Sequence, residues 1–149
     1  MFRKTIVSAV GVLPAGPPTA CGGGGTTPGA DDRITMGFAQ VGAGSGRRTA
    51  NSRSIQEAAE AAGIDLRFSD ARQKQENQIK ALRSYSQQDV DVSAFSPVVE
   101  ADGNTVLPGA RRAQIPVIPT DRAVATEDES LYATFLGSDF VEEGRKVGE

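Results

Sequence analysis

Asp121 and Arg122 stand side by side just beyond the apolar run 115–118. A carboxylate accepts hydrogens from two hydroxyl groups, and a guanidinium donates a rigid fork to neighbouring oxygens. Adjacent to one another they fit a vicinal diol of a sugar, whose hydroxyls must each donate and accept. The plainer alternative is a solvated pair of charges at a strand end. A second candidate is the loop 42–46, where Gly42, Gly44 and Gly46 follow one apolar run while Asp70 closes the next. A dinucleotide fingerprint needs G-x-G-x-x-G ahead of a helix and an acid for the ribose further on. Arg47 occupies the last of those glycine positions. The loop therefore also reads as a turn in which glycine supplies unusual φ values.

The chain contains no histidine and a single cysteine. That removes the commonest general base and metal ligand, and with them any internal disulfide. No Ser-His-Asp, Cys-His or metal-ligating set can be assembled. The groups Asp31-Asp32 and Glu127-Asp128-Glu129 read as solvated loops. The expectation is a binding protein and not an enzyme, with no catalytic residue, no metal and no cofactor. A net charge of −3 gives no reason to expect nucleic acid or an anionic membrane face as a partner.

The elements that must position these residues belong to one domain, because 149 residues, 38% of them hydrophobic, bound a single ordinary core. From Arg33 onward strand and helix patterns alternate. Residues 34–41 read as a strand leading into the glycine loop. Ile55, Ala58, Ala59 and Ala62 fall on one face of a helix that Gly63 stops. A short strand at 66–68 follows, then a helix over about 73–88 marked by Ile79 and Leu82. Residues 90–95 read as a third strand, and Val106, Ala110 and Ala113 mark a third helix. A fourth strand is expected at 115–118 and a fifth at 131–136. Asp139, with Glu142 three residues on, opens a last helix as a capping box. This order predicts an α/β fold, a doubly wound parallel sheet of about five strands with helices on both faces. Ligands of such sheets sit beyond the carboxyl ends of the strands. The loop 42–48, Asp70, Ser96-Pro97 and Asp121-Arg122 all fall there.

Residues 1–32 follow another pattern. Arg3 and Lys4 precede the apolar run 6–13, then prolines and small residues lead to Cys21 and to a Gly-rich stretch. The layout is that of an export signal at 1–21 followed by a flexible tether at 22–32. A lone cysteine after small residues resembles a bacterial lipoprotein signal, which implies lipidation of Cys21 and a membrane association only through that lipid. Pro18 stands where the lipoprotein pattern prefers leucine.

Longer blocks carry a second resemblance. They are the opening 36–42 with Ser45-Gly46 and Arg48-Thr49-Ala50, the run 73–81, then 96–99, 115–118 and 121–124. Over residues 33–148 the chain resembles the galactofuranose-type periplasmic sugar-binding proteins, extracytoplasmic receptors of sugar ABC transporters in which two α/β lobes close on a sugar. The resemblance implies a monosaccharide ligand, pentose or hexose and in furanose form, an ABC permease as partner, and a location outside the cytoplasmic membrane. It carries the sugar contacts over to Arg48, Asp121 and Arg122, with Ser96 and Ser138 at loop ends that line the cleft in related binders. Two positions depart, since the family loop has Glu and Trp where this chain has Gly44 and Arg47. Arg47 then replaces a stacking indole at the sugar face. The resemblance also implies that 33–149 forms the N-terminal lobe alone, the second lobe being missing or supplied as a complementary fragment. The alternatives are a non-functional fragment, a nucleotide-binding α/β enzyme domain, and the effector lobe of a sugar-responsive repressor.

Four positions oppose the element that holds them. Ser93 places a hydroxyl inside a buried strand, and Ser86 lies on the apolar face of the second helix. Pro119 follows the fourth strand, where an internal strand would lose a donor. Pro108 is tolerable in the third helix if Thr105 is the cap, and costs a hydrogen bond if the helix starts earlier.

Overall fold

The computed structural model describes residues 33–148. The leader at 1–21 with Cys21, and the tether at 22–32, lie outside them. Five parallel strands, β1 (Thr35–Gln40), β2 (Asp65–Asp70), β3 (Val92–Phe95), β4 (Val117–Asp121) and β5 (Leu136–Gly137), form a sheet in the order β2-β1-β3-β4-β5. Between them run α1 (Gly46–Ala61), α2 (Gln75–Gln87) and α3 (Gly103–Arg112), and α4 (Phe140–Gly148) follows β5. The doubly wound α/β fold read from the sequence is the fold observed. Its winding reverses between β1 and β3, which opens a crevice at the carboxyl ends of those strands.

Strand alternation sorts side chains to two faces. Ala39, Phe95 and Val117 turn toward α2 and α3 and pack with Leu82, Tyr85, Val106, Leu107 and Ala110 into the buried core. Met36, Phe38 and Gln40, with Ala94, Ser96, Ile118 and Thr120, turn the other way, toward α1. At Gly37 the Tyr85 ring lies so close that a Cβ would stand 2.5 Å from it. The Tyr85 hydroxyl donates to the Phe38 carbonyl at 2.9 Å, tying α2 to β1.

Several expected boundaries shift. The face proposed for α1 is buried only at Ala59 and half-buried at Ile55, while Ala58 and Ala62 are exposed. The fourth strand begins at Val117 and runs through Pro119 to Asp121. Pro119 is tolerated because amides alternate in direction along a strand. The Ser93 amide donates to the Pro116 carbonyl, so residues 116, 118 and 120 address β3. Position 119 then points the other way, where the pairing with β5 starts only at Thr120. The fifth strand is two residues long, not six, because Glu129–Leu131 coils into a 3-10 turn capped by the Asp128 carboxylate. Pro108 takes its costlier setting, since α3 already starts at Gly103 and the Asn104 carbonyl receives no amide from it. Ser86 satisfies its hydroxyl on the Leu82 carbonyl at 3.2 Å. Ser93 does not; among the described residues its buried Oγ has no hydrogen-bond partner.

Asp139 caps α4 as expected, accepting from the Val141 and Glu142 amides at 3.1 and 2.9 Å. Glu142 pairs forward with Arg145 and Lys146. No residue of α4 is buried.

Candidate functional site

Where the winding reverses, a cavity of about 490 Å³ opens between the sheet and α1. Its floor is apolar, formed by Met36 and Phe38 from β1, Ala94 from β3, Ile118 from β4 and Ile55 from α1. Polar groups gather at the carboxyl end of the strands. This volume and distribution suit a small ligand, whose apolar face meets the floor while a few polar groups orient it.

Arg47 and Arg48 reach the cavity from the first turn of α1. That turn is fixed twice. The Ser45 hydroxyl caps it by accepting from the Arg48 amide at 3.3 Å. Beneath it, Gln40 is only 2% exposed and donates to Asn51 Oδ1 at 2.8 Å and to Ser52 Oγ at 3.2 Å. Ser52 in turn donates to the Arg48 carbonyl at 3.0 Å, so the end of β1 sets the height of the two arginines.

Asp121 ends β4 with a φ of 67°. A non-glycine residue in that region costs energy and marks sites where the surrounding structure imposes a conformation. The strained backbone directs the carboxylate back across the cavity. Arg47 Nη1 donates to Asp121 Oδ1 at 2.8 Å, and Nη2 to Oδ2 at 3.3 Å. The hydrogen bond from Arg47 holds the Asp121 carboxyl below the ordinary carboxylate range, with the charges of Arg47, Arg122 and Arg48 acting the same way against partial burial. The carboxylate stays ionised at any physiological pH.

Ser96 is buried at the end of β3, and its hydroxyl shares a hydrogen bond of 2.9 Å with Thr120. Its loop is held from below by Gln78, 3% exposed, whose Nε2 donates to the Ser96 carbonyl at 2.7 Å and whose Oε1 accepts from the Val98 amide at 2.9 Å. Ser138 follows β5 and lines the opposite side of the cavity.

Five expected residues, Arg47, Arg48, Ser96, Asp121 and Ser138, therefore line one cavity. Arg122 stands beside it, its amide turned onto the Thr120 carbonyl at 2.7 Å, and is absent from the lining. Cys21 lies outside the described residues. Asp70, the acid of the nucleotide alternative, is engaged elsewhere, accepting from the Arg72 amide at 2.7 Å. The glycine loop packs on the residues after β2, and a Cβ on Gly42 would meet the Gln73 amide at 3.1 Å. Both features are thereby tied to the turn after β2.

Sequence reasoning missed Gln40, Asn51, Gln78 and Thr120. A signal was present for two of them. Gln40 shares its strand face with Met36 and Phe38, and Gln78 shares its helix face with Leu82 and Tyr85. A polar side chain at an apolar position is the informative observation.

A cavity at the winding reversal of an open parallel sheet, floored by apolar groups and rimmed by arginine and aspartate, defines a ligand-binding lobe of the α/β type. The chain belongs to the periplasmic binding protein domain family, whose profile matches residues 38–149. It is 44% identical to the galactofuranose-binding protein YtfQ of Escherichia coli over 116 residues, 78% of this chain and 36% of that one. A Mycobacterium smegmatis protein solved in complex with β-D-fucofuranose is 59% identical, with a TM-score of 0.74 over 77% of this chain and 38% of that one. The binding component of the arabinose ABC transporter of Shewanella sp. ANA-3, solved with L-arabinofuranose, is 52% identical with a TM-score of 0.74, again over 77% and 38%. The chain thus spans less than two-fifths of the length of these relatives.

Proposed function

We propose that this chain is the sugar-binding lobe of an extracytoplasmic receptor that hands a monosaccharide, a pentose or hexose in furanose form, to an ABC permease. The observation that carries the reading is the convergence of Arg47, Arg48, Ser96, Asp121 and Ser138, from separate loops, on one apolar-floored cavity. The three relatives described above are named for, or were solved with, five-membered-ring sugars. In this role Asp121 accepts from adjacent ring hydroxyls, and Arg48 donates to ring and hydroxyl oxygens. Ser96 and Ser138 complete the polar rim, while Phe38 and Met36 meet the C–H face. Nothing in the proposed role requires bond making, a metal or a cofactor.

Alone, one lobe leaves much of a sugar in water, so its hydrogen bonds compete with solvent and the affinity is low. A second α/β lobe would form the opposite wall. Isothermal titration of the chain with L-arabinose, D-ribose, D-galactose and D-galactofuranose tests the reading. Heat at millimolar sugar, lost in Asp121→Asn, supports it. No heat for any of the four sugars at tens of millimolar overturns it and favours a non-functional fragment.

In this reading the leader at 1–21 directs export and Cys21 carries a lipid tether. Growth on labelled palmitate should mark the chain but not Cys21→Ala. Equal labelling of both would remove the lipid anchor from the proposal.

A further inference from the structure

An ionised carboxylate has about four acceptor sites, shared between its two oxygens. On Asp121 the Arg47 fork takes one site of each oxygen, Nη1 meeting Oδ1 at 2.8 Å and Nη2 meeting Oδ2 at 3.3 Å. Each oxygen keeps a free site, on a side chain that lines the cavity. Among the described residues no other hydrogen bond holds this carboxylate. Its rotation is therefore set by Arg47.

Arg47 is itself anchored from below. It stands in the first turn of α1, which Ser45 caps, and the buried Gln40 ties that helix to β1 through Asn51 and Ser52. A guanidinium fork is planar and rigid, so it fixes both the place and the tilt of the carboxylate it meets. The charged groups acting on Asp121 are Arg47 and Arg48 from α1 and Arg122, its neighbour in the chain. Every other residue lining the cavity, from β1, α1, β3, β4 and β5, is uncharged.

Resting on the sugar-binding reading above, we infer that Arg47 is a positioning residue, which acts on the sugar through Asp121 by aiming the two free acceptor sites at a pair of adjacent hydroxyls. Such a role has a signature in pH. A protonated carboxyl turns one oxygen into a donor and loses acceptor capacity. The hydrogen bond from Arg47 holds the Asp121 carboxyl below the ordinary carboxylate range. Loss of the fork therefore moves the acid limit of sugar binding upward in pH.

The test is isothermal titration of the full chain with L-arabinose, D-ribose, D-galactose and D-galactofuranose at pH 7 and at pH 4, beside carbon NMR of the Asp121 carboxyl without sugar. Arg47→Gln is expected to bind roughly tenfold more weakly than the wild type at pH 7. On going to pH 4 the wild type should keep its affinity, while Arg47→Gln loses a further factor of about two. Its Asp121 carboxyl should titrate at higher pH than in the wild type. Arg47→Lys, which restores the charge without the fork, should recover the wild-type pH profile and only part of the affinity. Arg53→Gln, exposed on α1 and outside the cavity lining, removes the same charge and should leave every readout unchanged. Weaker binding in Arg47→Gln with an unchanged pH profile would overturn the inference and make Arg47 a direct sugar contact. Tighter binding would overturn it too, and make Arg47 a competitor for Asp121. An Asp121 carboxyl that titrates alike in both proteins, with the wild type still binding sugar, would overturn the inference alone. No binding of any sugar to the wild type would remove the sugar reading, and with it a part for Arg47 in sugar binding.

Discussion

Asp121 combines three unusual properties: a left-handed backbone, a bidentate arginine and a depressed carboxyl pKa. Asparagine is the informative replacement, because it tolerates positive φ nearly as well and removes only the charge. A carboxyl depressed on folding contributes stability that is present above its unfolded value and is lost as pH falls through its folded value. The thermal midpoints of the wild type and Asp121→Asn should therefore differ by a constant amount from pH 7 down to roughly pH 4. They should converge only at more acid pH. Midpoints that coincide at every pH would show that the Arg47 pairing does not form in solution. Ser93 is the opposite kind of residue, a hydroxyl without a partner beside a gap of about 10 Å³ between the sheet and α3. Ser93→Ala removes the unsatisfied group and should stabilise by about 1 kcal/mol, a rise of roughly 4 °C in a domain of this size. An unchanged or lower midpoint by circular dichroism would mean that water satisfies the hydroxyl. Both residues stood out in the sequence for what they carry, a charge at a strand end and a hydroxyl within a strand. The conformation of Asp121 and the arginine that reaches it did not, because both depend on where α1 starts.

Among the elements, the helices that pack against the main core were the easiest to read. Leu82 in α2, with Val106 and Ala110 in α3, recurs at helical spacing, and each is buried. Helix α1 misleads because its apolar face is largely alanine, which a partly exposed helix tolerates as well as a buried one. The fifth strand was expected, but its bounds were illegible, since two residues carry no periodicity and the Asp128 cap diverts the chain ahead of them. The site's supports were hidden for the same reason that they matter. Gln78 on α2 acts on residues 18 and 20 positions away, at Ser96 and Val98, and no local pattern encodes that reach. Gln78→Ala leaves a buried carbonyl and a half-buried amide unpaired, at a cost of about 1–3 kcal/mol. It should also release the loop after β3. Hydrogen exchange at Val98 is expected to accelerate well beyond that of the β1 amides. Uniform acceleration across the sheet would indicate global destabilisation instead of a local latch.

At the scale of the whole molecule, one end of the sheet is finished and the other is not. The face under α2 and α3 is closed by a continuous core, whereas Leu136, Phe140, Val141 and Val147 are exposed around β5 and α4. Large apolar side chains exposed in this number favour association in water. Sedimentation velocity is expected to show concentration-dependent self-association, which Leu136→Lys combined with Val147→Lys should reverse without lowering the thermal midpoint. A monomer across the whole concentration range would contradict this. The outer flank of β4 is closed at both ends, the Ala133 amide donating to the Val117 carbonyl at 2.8 Å and β5 pairing at Thr120 and Asp121. Pro119 lies on that flank between those contacts, under 2% exposed, where its lack of an amide presents no gap to solvent. The residue that looked misplaced in a buried strand thus lies under cover, between two contacts that seal the flank on either side of it.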